Sequence, residues 1–496
     1  MTLDVSTNPF DDDKFHEECA VFGIFGTEDA SKHTALGLHA LQHRGQEATG
    51  IVSFDGKEFH AHRETGQVGD VFDKNRGIVE KLKGFAAIGH NRYSTTGGDM
   101  VRNIQPLFAD FEFGGLAVAH NGNLTNALRL RKELVKHGAI FQSTTDTETL
   151  IHLMAHAQGN LIERLVAALR RVEGAYSLVC MSRKKLIGVR DPMGVRPLVL
   201  GKLSEPSKDS TAYILASETC GLDIMGAEKV RDVLPGELIV IDEKGVHSQF
   251  PFPKMAERFC VFEYIYFSRP DSIVEGHSVY TARKAIGREL AREHPVEADV
   301  IVPIPDSGVP SAIGYAEESG VPFEYGIIRN HYVGRTFIEP TDEIRHLGVK
   351  LKHNANRAVI EGKRVVLIDD SIVRGTTSRK IVEMIRAAGA TAVHMCIASP
   401  PTTYSCYYGV DTPERSQLMA ARMSHEEMRQ AIGCDTLTFI TMDGLYRAMG
   451  HTGRDPAKPA YCDACFSGDY PIRLTDFGDS GGQPAQLSLL REQKAG

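Results

Sequence analysis

One run in the second half of the chain restricts the folds open to it more than any other feature. The apolar segment 364–368 ends at two carboxylates, Asp369 and Asp370, and a loop of Gly, Thr and Ser leads from them into a segment with helical periodicity. This order predicts a buried strand, a loop and a helix. Backbone N–H groups at such a helix N-terminus can hold a phosphate, and the carboxylates can meet a ribose diol or a metal-bound water.

The elements around this run repeat the same order. Segments 299–304 and 392–398 are apolar and strand-like, and segments 310–318 and 377–388 have helical periodicity. Strands that alternate with helices predict an α/β fold with a mostly parallel sheet, in which ligands bind at the carboxyl ends of strands. Taken alone, a strand end followed by a capped helix would explain Asp and Thr at these positions equally well.

The complete run resembles the phosphoribosylpyrophosphate (PRPP) motif of the type I phosphoribosyltransferase family. The loop after the preceding strand, 303–310, resembles the pyrophosphate loop of that family. The resemblance implies a Mg²⁺ ion, which takes oxygen ligands and keeps several waters, at Ser307, Asp369 and Asp370. The implied PRPP-binding residues are Asp306, Ser307, Asp369, Asp370, Ser371, Arg374, Gly375, Thr376, Thr377 and Ser378.

The first half of the chain has a different pattern, made of short apolar runs and turns. Asp55-Gly56 lies between two strand-like runs and predicts a hairpin, and 175–181 and 236–241 are further strand candidates. Helices are expected over 34–42 and 148–157, where apolar residues recur at helical spacing. This half is therefore expected to be α+β.

Five motifs of the first half follow one another in an order typical of a single enzyme family. Cys19 is followed by runs that begin at His43, Gly89, Ala119 and Thr145. The set resembles the N-terminal-nucleophile glutaminase domain of class II amidotransferases, and it implies an αββα sandwich. It also implies that the chain is cut before Cys19, so that the α-amine of this residue serves as general base for its thiol.

The other roles of that family are carried over by position. Asn121 and the backbone N–H of Gly122 would form the oxyanion hole. Arg92 would pair with the α-carboxylate of glutamine, and Asp146 would hold its ammonium group. Taken singly, each residue has a plainer explanation, such as a surface arginine, a turn or a helix cap. With Cys19, the resemblance gives three catalytic residues and two glutamine-binding residues.

Together the two halves resemble the amidophosphoribosyltransferase family over nearly the whole chain. The implied reaction is the first committed step of de novo purine biosynthesis, in which glutamine, PRPP and water give 5-phosphoribosylamine, glutamate and pyrophosphate. Ammonia would pass from the glutaminase site to the PRPP site. Two alternatives are another class II amidotransferase, which would lack the PRPP motif, and a PRPP-sensing regulator, which would not need the glutaminase residues.

The resemblance also implies how the chain is divided and what else it binds. We expect a propeptide (1–18), a glutaminase domain (19–250), a phosphoribosyltransferase domain with a C-terminal helical segment (251–470) and a tail (471–496). Segment 329–350, rich in Gly, Arg and His, is expected to fold over PRPP as a flexible loop. Purine nucleotides as feedback inhibitors and a homotetramer are further implications.

Four of the nine cysteines are candidate ligands. Cys462 and Cys465 form a Cys-x-x-Cys, which in a reducing compartment indicates a metal site or a redox pair. By resemblance, Cys260 and Cys406 complete the four positions that carry a [4Fe–4S] cluster in some members of the family. Tetrahedral Zn²⁺ and free thiols are the alternatives. The remaining cysteines, Cys19 apart, lie in or beside apolar segments and are expected in the core.

Charge and hydropathy exclude two classes of partner. The 56 basic and 64 acidic side chains give a net charge of −8, so the chain lacks the field that draws proteins to nucleic acid or anionic membranes. No apolar run approaches the roughly 20 residues that cross a bilayer, and the polar segment 1–14 is unlike a secretory signal. We therefore expect small-molecule substrates, no nucleic acid or membrane partner, and a cytoplasmic location.

Overall fold

The structure, a computed structural model, describes residues 16–17, 19–73, 76–92, 101–205, 210–330 and 353–477. Most of the expected propeptide, most of the expected loop at 329–350 and the end of the tail therefore lie outside the described residues. None of the described helices is long and apolar enough to cross a membrane.

Strands dominate the first half. They are β1 (His16–Glu17), β2 (Cys19–Phe25), β3 (Ala48–Phe54), β4 (Phe59–Thr65), β5 (Ala86–Arg92), β6 (Leu107–Phe111), β7 (Gly114–Leu124), β8 (Gly174–Ser182), β9 (Leu186–Arg190), β10 (Val199–Glu205), β11 (Ser210–Ala216), β12 (Glu228–Asp232), β13 (Leu238–Asp242) and β14 (Gly245–Gln249). The helices are α1 (Ala30–Ala40), α2 (Val68–Val71), α3 (Ala127–Lys136), α4 (Thr147–His156), α5 (Leu161–Leu169) and α6 (Cys220–Asp223), with short 3₁₀ turns at Gln42–Arg44, Val79–Lys81 and Val101–Asn103.

These elements form the predicted αββα sandwich. Two antiparallel sheets, ordered β12-β10-β11-β2-β5-β3-β4 and β14-β13-β9-β8-β7-β6, lie face to face. Their inner faces share one buried apolar cluster that includes Val21, Ile88, Ala119 and Val179. Helix α1 covers the outer face of the first sheet, and α3 to α5 cover the outer face of the second. Because both faces of each sheet are covered, the central strands are mostly apolar, and their polar residues lie near the strand ends.

The predicted elements of this half are found with small shifts. The hairpin at Asp55 joins β3 to β4, and its carboxylate accepts hydrogen bonds from the N–H groups of Lys57 and Glu58, each at 2.8 Å. The helix predicted over 34–42 begins earlier, at Ala30. Its first turn is buried by the small residues Ala30 and Ser31, which do not appear in the pattern of large apolar residues. The chain after Ala40 leaves the α-helix for a 3₁₀ turn.

The second half contains short strands around a four-stranded sheet. The strands are β15 (Phe259–Cys260), β16 (Ile273–Val274), β17 (His277–Ser278), β18 (Val300–Pro303), β19 (Ile327–Arg329), β20 (His353–Ala355), β21 (Arg364–Asp369), β22 (Ala392–Ile397), β23 (Val410–Asp411), β24 (Thr436–Phe439) and β25 (Tyr461–Cys462). The helices are α7 (Val279–Glu293), α8 (Val309–Ser319), α9 (Arg357–Ile360), α10 (Thr376–Ala387), α11 (Met419–Arg422), α12 (His425–Ile432), α13 (Met442–Ala448) and α14 (Ala464–Ser467), with a π-helix at Glu263–Phe267 and a 3₁₀ turn at Arg415–Gln417.

The central sheet of this half is parallel, as predicted. Its order is β18-β21-β22-β24, and all three ladders are parallel. Helices α7 and α8 pack on one face, and α10 and α12 pack on the other. Helix α10 ends before Gly389, which has a φ of 98° and so provides the left-handed stop that its position predicted. The carboxyl ends of the parallel strands form one edge, where the sequence places the PRPP motif.

Buried charges join the two halves. Arg44 Nη2 donates to Glu263 Oε2 at 2.6 Å, and Arg196 Nη1 donates to Glu263 Oε1 at 3.0 Å. Arg44 also donates to Glu218, and all four side chains are fully buried. Arg44, Arg196 and Glu218 come from the first half and Glu263 from the second. The carboxylate of Glu263 is therefore compensated by guanidinium groups from the other half.

The C-terminal residues return to the first half. The carboxylate of Asp476 accepts hydrogen bonds from Leu128 N–H at 2.6 Å and Arg129 N–H at 3.0 Å. These are N–H groups of the first turn of α3, which have no acceptor within the helix. Thr125 Oγ1 also donates to the carbonyl of Arg473 at 2.6 Å. The end of the described chain thus caps a helix of the first half.

Candidate active sites

The expected nucleophile lies at the start of a central strand. Cys19 is the first residue of β2, and the ladder places it directly opposite Arg92, the last residue of β5. The thiol is buried, with 8% of the residue exposed. A Cβ on Gly45 would lie 2.8 Å from the carbonyl carbon of Arg92. The motif that begins at His43 can therefore approach the end of β5 only with glycine at position 45. The structure thus brings together the expected nucleophile and the expected carboxylate ligand.

Asn121 and Gly122 lie on the facing sheet. Ala119 and Val21 share the inner cluster of the sandwich, and side chains two apart on a strand point to the same face. Asn121 therefore follows Ala119 on the inner face of β7, as Cys19 precedes Val21 on the inner face of β2. The two predicted catalytic side chains consequently belong to facing surfaces of the sandwich.

The Asn121 amide is buried, and neither its oxygen nor its nitrogen has a hydrogen-bond partner among the described residues. A buried amide without hydrogen bonds lowers the free energy of unfolding by about 1–3 kcal/mol unless a bound ligand supplies the missing bonds. Gly122 has a φ of 139°, and a Cβ there would collide with the carbonyl oxygen of Ala175. An unsatisfied amide beside a glycine N–H is the donor set that an oxyanion needs.

Asp146 lies next to the same strand. It occupies the N-cap position of α4, but its Oδ2 accepts a hydrogen bond from Leu124 N–H of β7 at 2.9 Å instead of capping the helix. Burial favours the neutral acid, yet the neighbouring His120 and hydrogen bonds from Leu124 and Thr145 hold the pKa of Asp146 below its ordinary value. The carboxylate is therefore ionised and suited to an ammonium group.

Two histidines near this site received no role from the sequence. His90 Nε2 donates to the carbonyl of His120 at 3.1 Å and so links β5 to β7. Burial lowers the pKa of His90 to about 3, so the ring is neutral near pH 7. His120 Nδ1 lies 3.1 Å from Thr147 Oγ1 and 3.6 Å from Asp146 Oδ1. Each histidine is the second residue of a glutaminase motif, but only its three-dimensional neighbours indicate that it braces the site.

The two loops predicted to bind PRPP meet at the end of the parallel sheet. Ser307 Oγ donates to Asp370 Oδ2, and Ser371 Oγ donates to Asp370 Oδ1 at 2.7 Å. Asp370 N–H donates to Asp369 Oδ1 at 3.0 Å, and both aspartates are buried. A Cβ on Gly308 would collide with the carbonyl of Ile368, so this loop lies tightly against the strand end. The three expected Mg²⁺ positions are therefore adjacent.

Helix α10 begins beside these carboxylates. Gly375 has a φ of 81° and forms the N-cap, and a Cβ there would collide with the sulfur of Met419. Thr376, Thr377 and Ser378 form the first turn, whose N–H groups and hydroxyls suit a phosphate. Two of the predicted PRPP-binding residues are exposed and pair with other side chains. Asp306 forms an ion pair with Arg329, and Arg374 Nη2 donates to Gln417 at 3.2 Å.

Four distant cysteines line one cavity. Cys260 and Cys462 are register partners in the parallel pair β15–β25. With Cys406 and Cys465 they line one small pocket whose other walls are mainly aromatic and aliphatic. Burial raises the pKa of Cys260 to about 12, and burial with the neighbouring thiols raises the pKa of Cys465 far above its ordinary value. The four cysteines expected in the core are buried there, as predicted: Cys180, Cys220, Cys396 and Cys434.

Known proteins resemble the chain in both halves and over its length. Family models for a glutamine amidotransferase domain and a phosphoribosyl transferase domain match residues 90–223 and 271–404. The amidophosphoribosyltransferase of Rhizobium etli is 55% identical over 97% of each chain. The chain belongs to the amidophosphoribosyltransferase family. The Bacillus subtilis amidophosphoribosyltransferase is 48% identical over 92% of this chain and 95% of its own.

Solved amidophosphoribosyltransferase structures agree with this assignment. The B. subtilis glutamine PRPP amidotransferase, solved with ADP and GMP, matches with a TM-score of 0.86 at 47% identity, over 92% of this chain and 98% of that one. A structure described as the allosteric regulatory enzyme of purine biosynthesis matches with a TM-score of 0.87 at 47% identity, covering 92% and 97%. The family and the fold are thereby confirmed, and neither alternative interpretation of the sequence is supported.

Proposed function

We propose that this amidophosphoribosyltransferase releases ammonia from glutamine at Cys19 and transfers it to PRPP at the end of β21. The overall reaction is the one implied by the sequence: glutamine, PRPP and water give 5-phosphoribosylamine, glutamate and pyrophosphate, opening purine biosynthesis. The buried, unsatisfied amide of Asn121 beside Gly122 carries the proposal, because a buried polar group without a partner needs an explanation and a bound oxyanion supplies one.

At the first site, the Cys19 thiolate attacks the carboxamide carbon of glutamine. The α-amine that is freed when residues 1–18 are removed takes the thiol proton and later donates it to the leaving nitrogen. The oxyanion of the tetrahedral intermediate accepts hydrogen bonds from the Asn121 amide and the Gly122 N–H. Arg92 and Asp146 hold the α-carboxylate and the ammonium group. Ammonia departs, and water hydrolyses the thioester to glutamate and restores the thiol.

At the second site, ammonia attacks C1 of PRPP and pyrophosphate leaves. The first turn of α10 binds the 5-phosphate through N–H groups and hydroxyls, and Asp369 and Asp370 meet the ribose hydroxyls or metal-bound water. Ser307, Asp369 and Asp370 would hold Mg²⁺, which when bound neutralises charge on the pyrophosphate. Mg²⁺ keeps several waters, so most of its other ligands would be waters and substrate oxygens.

Asn121→Ala tests the proposed oxyanion hole. Loss of one donor should lower the glutamine-dependent kcat by about 10²–10³-fold. Synthesis from added ammonia should stay at the wild-type rate, since that route bypasses the first site. Both rates are measured as PRPP-dependent formation of phosphoribosylamine.

The matched control is Asn160→Ala, which removes an amide that caps α5 away from β7. It should keep both rates even though the helix loses its capping box. Wild-type glutamine turnover in Asn121→Ala would contradict the assigned role of this residue.

A [4Fe–4S] cluster is our proposal for the four cysteines. They are cysteine ligands in the number the cluster requires, and all four line the same pocket. A Zn²⁺ ion, with Zn–S bonds of about 2.3 Å, would need the four sulfurs within roughly 3.8 Å of one another. Metal and sulfide analysis distinguishes the two groups, because only the cluster contains inorganic sulfide.

Anaerobically purified protein should therefore contain iron and acid-labile sulfide, with broad absorbance near ~400 nm that oxygen bleaches. Cys406→Ser should lose the absorbance and lower the thermal midpoint. Cys434→Ser, which changes a buried core thiol outside the cavity, should keep the absorbance. Zinc without sulfide in an active, colourless sample would refute the cluster.

Further proposals concern processing, regulation and assembly. We propose the division into 1–18, 19–250, 251–470 and 471–496, a homotetramer, and a cytoplasmic location. Relatives do not all share one location, since an Arabidopsis thaliana enzyme 50% identical over 95% of this chain is named chloroplastic. Purine nucleotides as feedback inhibitors are supported by the B. subtilis relative, which was solved with ADP and GMP.

A further inference from the structure

A segment of the phosphoribosyltransferase half lies directly against the strand of the proposed oxyanion hole. Asn123 Nδ2 of β7 donates to the carbonyl of Tyr407 at 2.9 Å. Gly409 has a φ of 96°, and a Cβ on it would lie 2.7 Å from Gly122 Cα and 2.9 Å from Gly122 C. The two backbones are therefore in contact at glycines, with no room for a side chain on Gly409.

One guanidinium group holds this segment in place. Arg196 is fully buried, and its Nε donates to the carbonyl of Tyr408 at 3.0 Å while its Nη2 donates to the carbonyl of Gly409. Its Nη1 donates to Glu263 Oε1 at 3.0 Å, which fixes the guanidinium plane. Because the fork of an arginine is rigid, two carbonyls bound to it cannot move independently.

Gly409 contacts β7 at Gly122, which has no side chain to restrict the conformation of the backbone. Gly122 has a φ of 139°, a region that only glycine enters freely, so its peptide groups can rotate unless something holds them. On one side the ladder with β8 pairs Gly122 with Tyr176. On the other side Gly409 closes the space. The direction of the Gly122 N–H thus depends on a residue far along the chain, in the other half of the protein.

We propose that residues 407–409 are a positioning element for the glutamine site. By packing on Gly122 they hold its N–H toward the oxyanion, so the first site is complete only when this segment of the second half is docked. The inference rests on the proposed role of Gly122. The contacts of residues 407–409 are with β7, so they are assigned as positioning residues that act through that strand. A misplacement of about 1 Å in such a site can cost ~10²-fold in rate.

Gly409→Ala tests the proposal in the full-length holoenzyme. The added methyl must push Gly122 aside, so we expect the glutamine-dependent kcat to fall about 10- to 100-fold. The KM for glutamine should change little, because the oxyanion forms only in the transition state. Synthesis from added ammonia should be unchanged. Gly450→Ala is the matched control, since Gly450 has a φ of 88° in the same half with nothing within 4 Å.

Three results with the Gly409 and Asn123 variants would overturn the proposal. The first is a Gly409→Ala enzyme with the kcat of Gly450→Ala, and the second is an equal loss of both activities, which a merely structural role produces. If Gly409→Ala does not fold, Asn123→Ala removes the bond to Tyr407 instead, and a wild-type kcat in that variant is the third. Wild-type glutamine turnover in Asn121→Ala would overturn the oxyanion hole itself, and this inference with it. Loss in Asn121→Ala without loss in Gly409→Ala removes only the positioning element.

Discussion

Cys19→Ala is expected to abolish phosphoribosylamine synthesis from glutamine and to leave synthesis from added ammonia intact. Without the thiol no thioester can form, and removal of a nucleophile of this kind costs more than ~10⁴-fold. The second site keeps all of its residues, since Ser307, Asp369 and Asp370 lie at the end of a separate sheet. Both rates are measured on one preparation. Loss of the glutamine-dependent rate alone indicates a nucleophile, whereas a structural defect would lower both rates.

Cys180→Ala is the matched control, because Cys180 is a fully buried thiol of β8 in the same sandwich. It should lower stability somewhat while keeping both activities. Equal loss of the two activities in Cys19→Ala would show that Cys19 is structural. N-terminal sequencing of the wild-type preparation completes the experiment, since an active enzyme that begins at Met1 would contradict the free α-amine.

Asp370→Asn, combined with Asp369→Asn, should abolish synthesis from glutamine and from ammonia alike. The change keeps the shape of each side chain but removes the negative charge that faces the ribose or the metal-bound water. Loss of the electrostatic groups at such a centre costs at least about 10²–10³-fold. Slow glutamine hydrolysis at Cys19 should persist, which shows that the variant is folded.

Asp299→Asn provides the comparison. Asp299 lies at the opposite, amino end of the sheet, where it pairs with Arg364 at the surface. Its loss should leave both rates near wild type, because an exposed ion pair of this kind is worth less than about 1 kcal/mol. Retention of ammonia-dependent synthesis in the double variant would contradict the assignment of the PRPP site.

Local patterns made much of the fold predictable. The parallel sheet follows from apolar strands that alternate with helices, and Ser307 meets Asp370 because the carboxyl ends of neighbouring parallel strands share an edge. Helix boundaries shifted where side chains outside the periodic pattern are buried. Strand β13, predicted to begin at Gly236, begins at Leu238, because Gly236 has a φ of 73° and lies in the preceding turn.

Contacts between distant segments could not be predicted in this way. Nothing near Arg196 indicates that it holds Gly409, and nothing near Asp476 indicates that it caps α3. Periodicity predicts which face of a helix or strand is buried. It does not predict which other element of the chain packs on that face. The roles of Cys19 and Asn121 came from resemblance, and the unsatisfied amide of Asn121 became visible only once the sheets were placed face to face.

Arg44, Arg196 and Glu263 form buried ion pairs between the two halves of the chain. These ion pairs limit which segments can be exchanged between related enzymes. A chimera in which a neutral residue replaced one of these three residues would leave its partner buried without compensation, and breaking such a pair costs about 3–5 kcal/mol. That is a large share of the roughly 5–15 kcal/mol by which a domain is stable. Chimeras of two relatives should therefore inherit these three residues from the same parent, even though they lie in both halves of the chain.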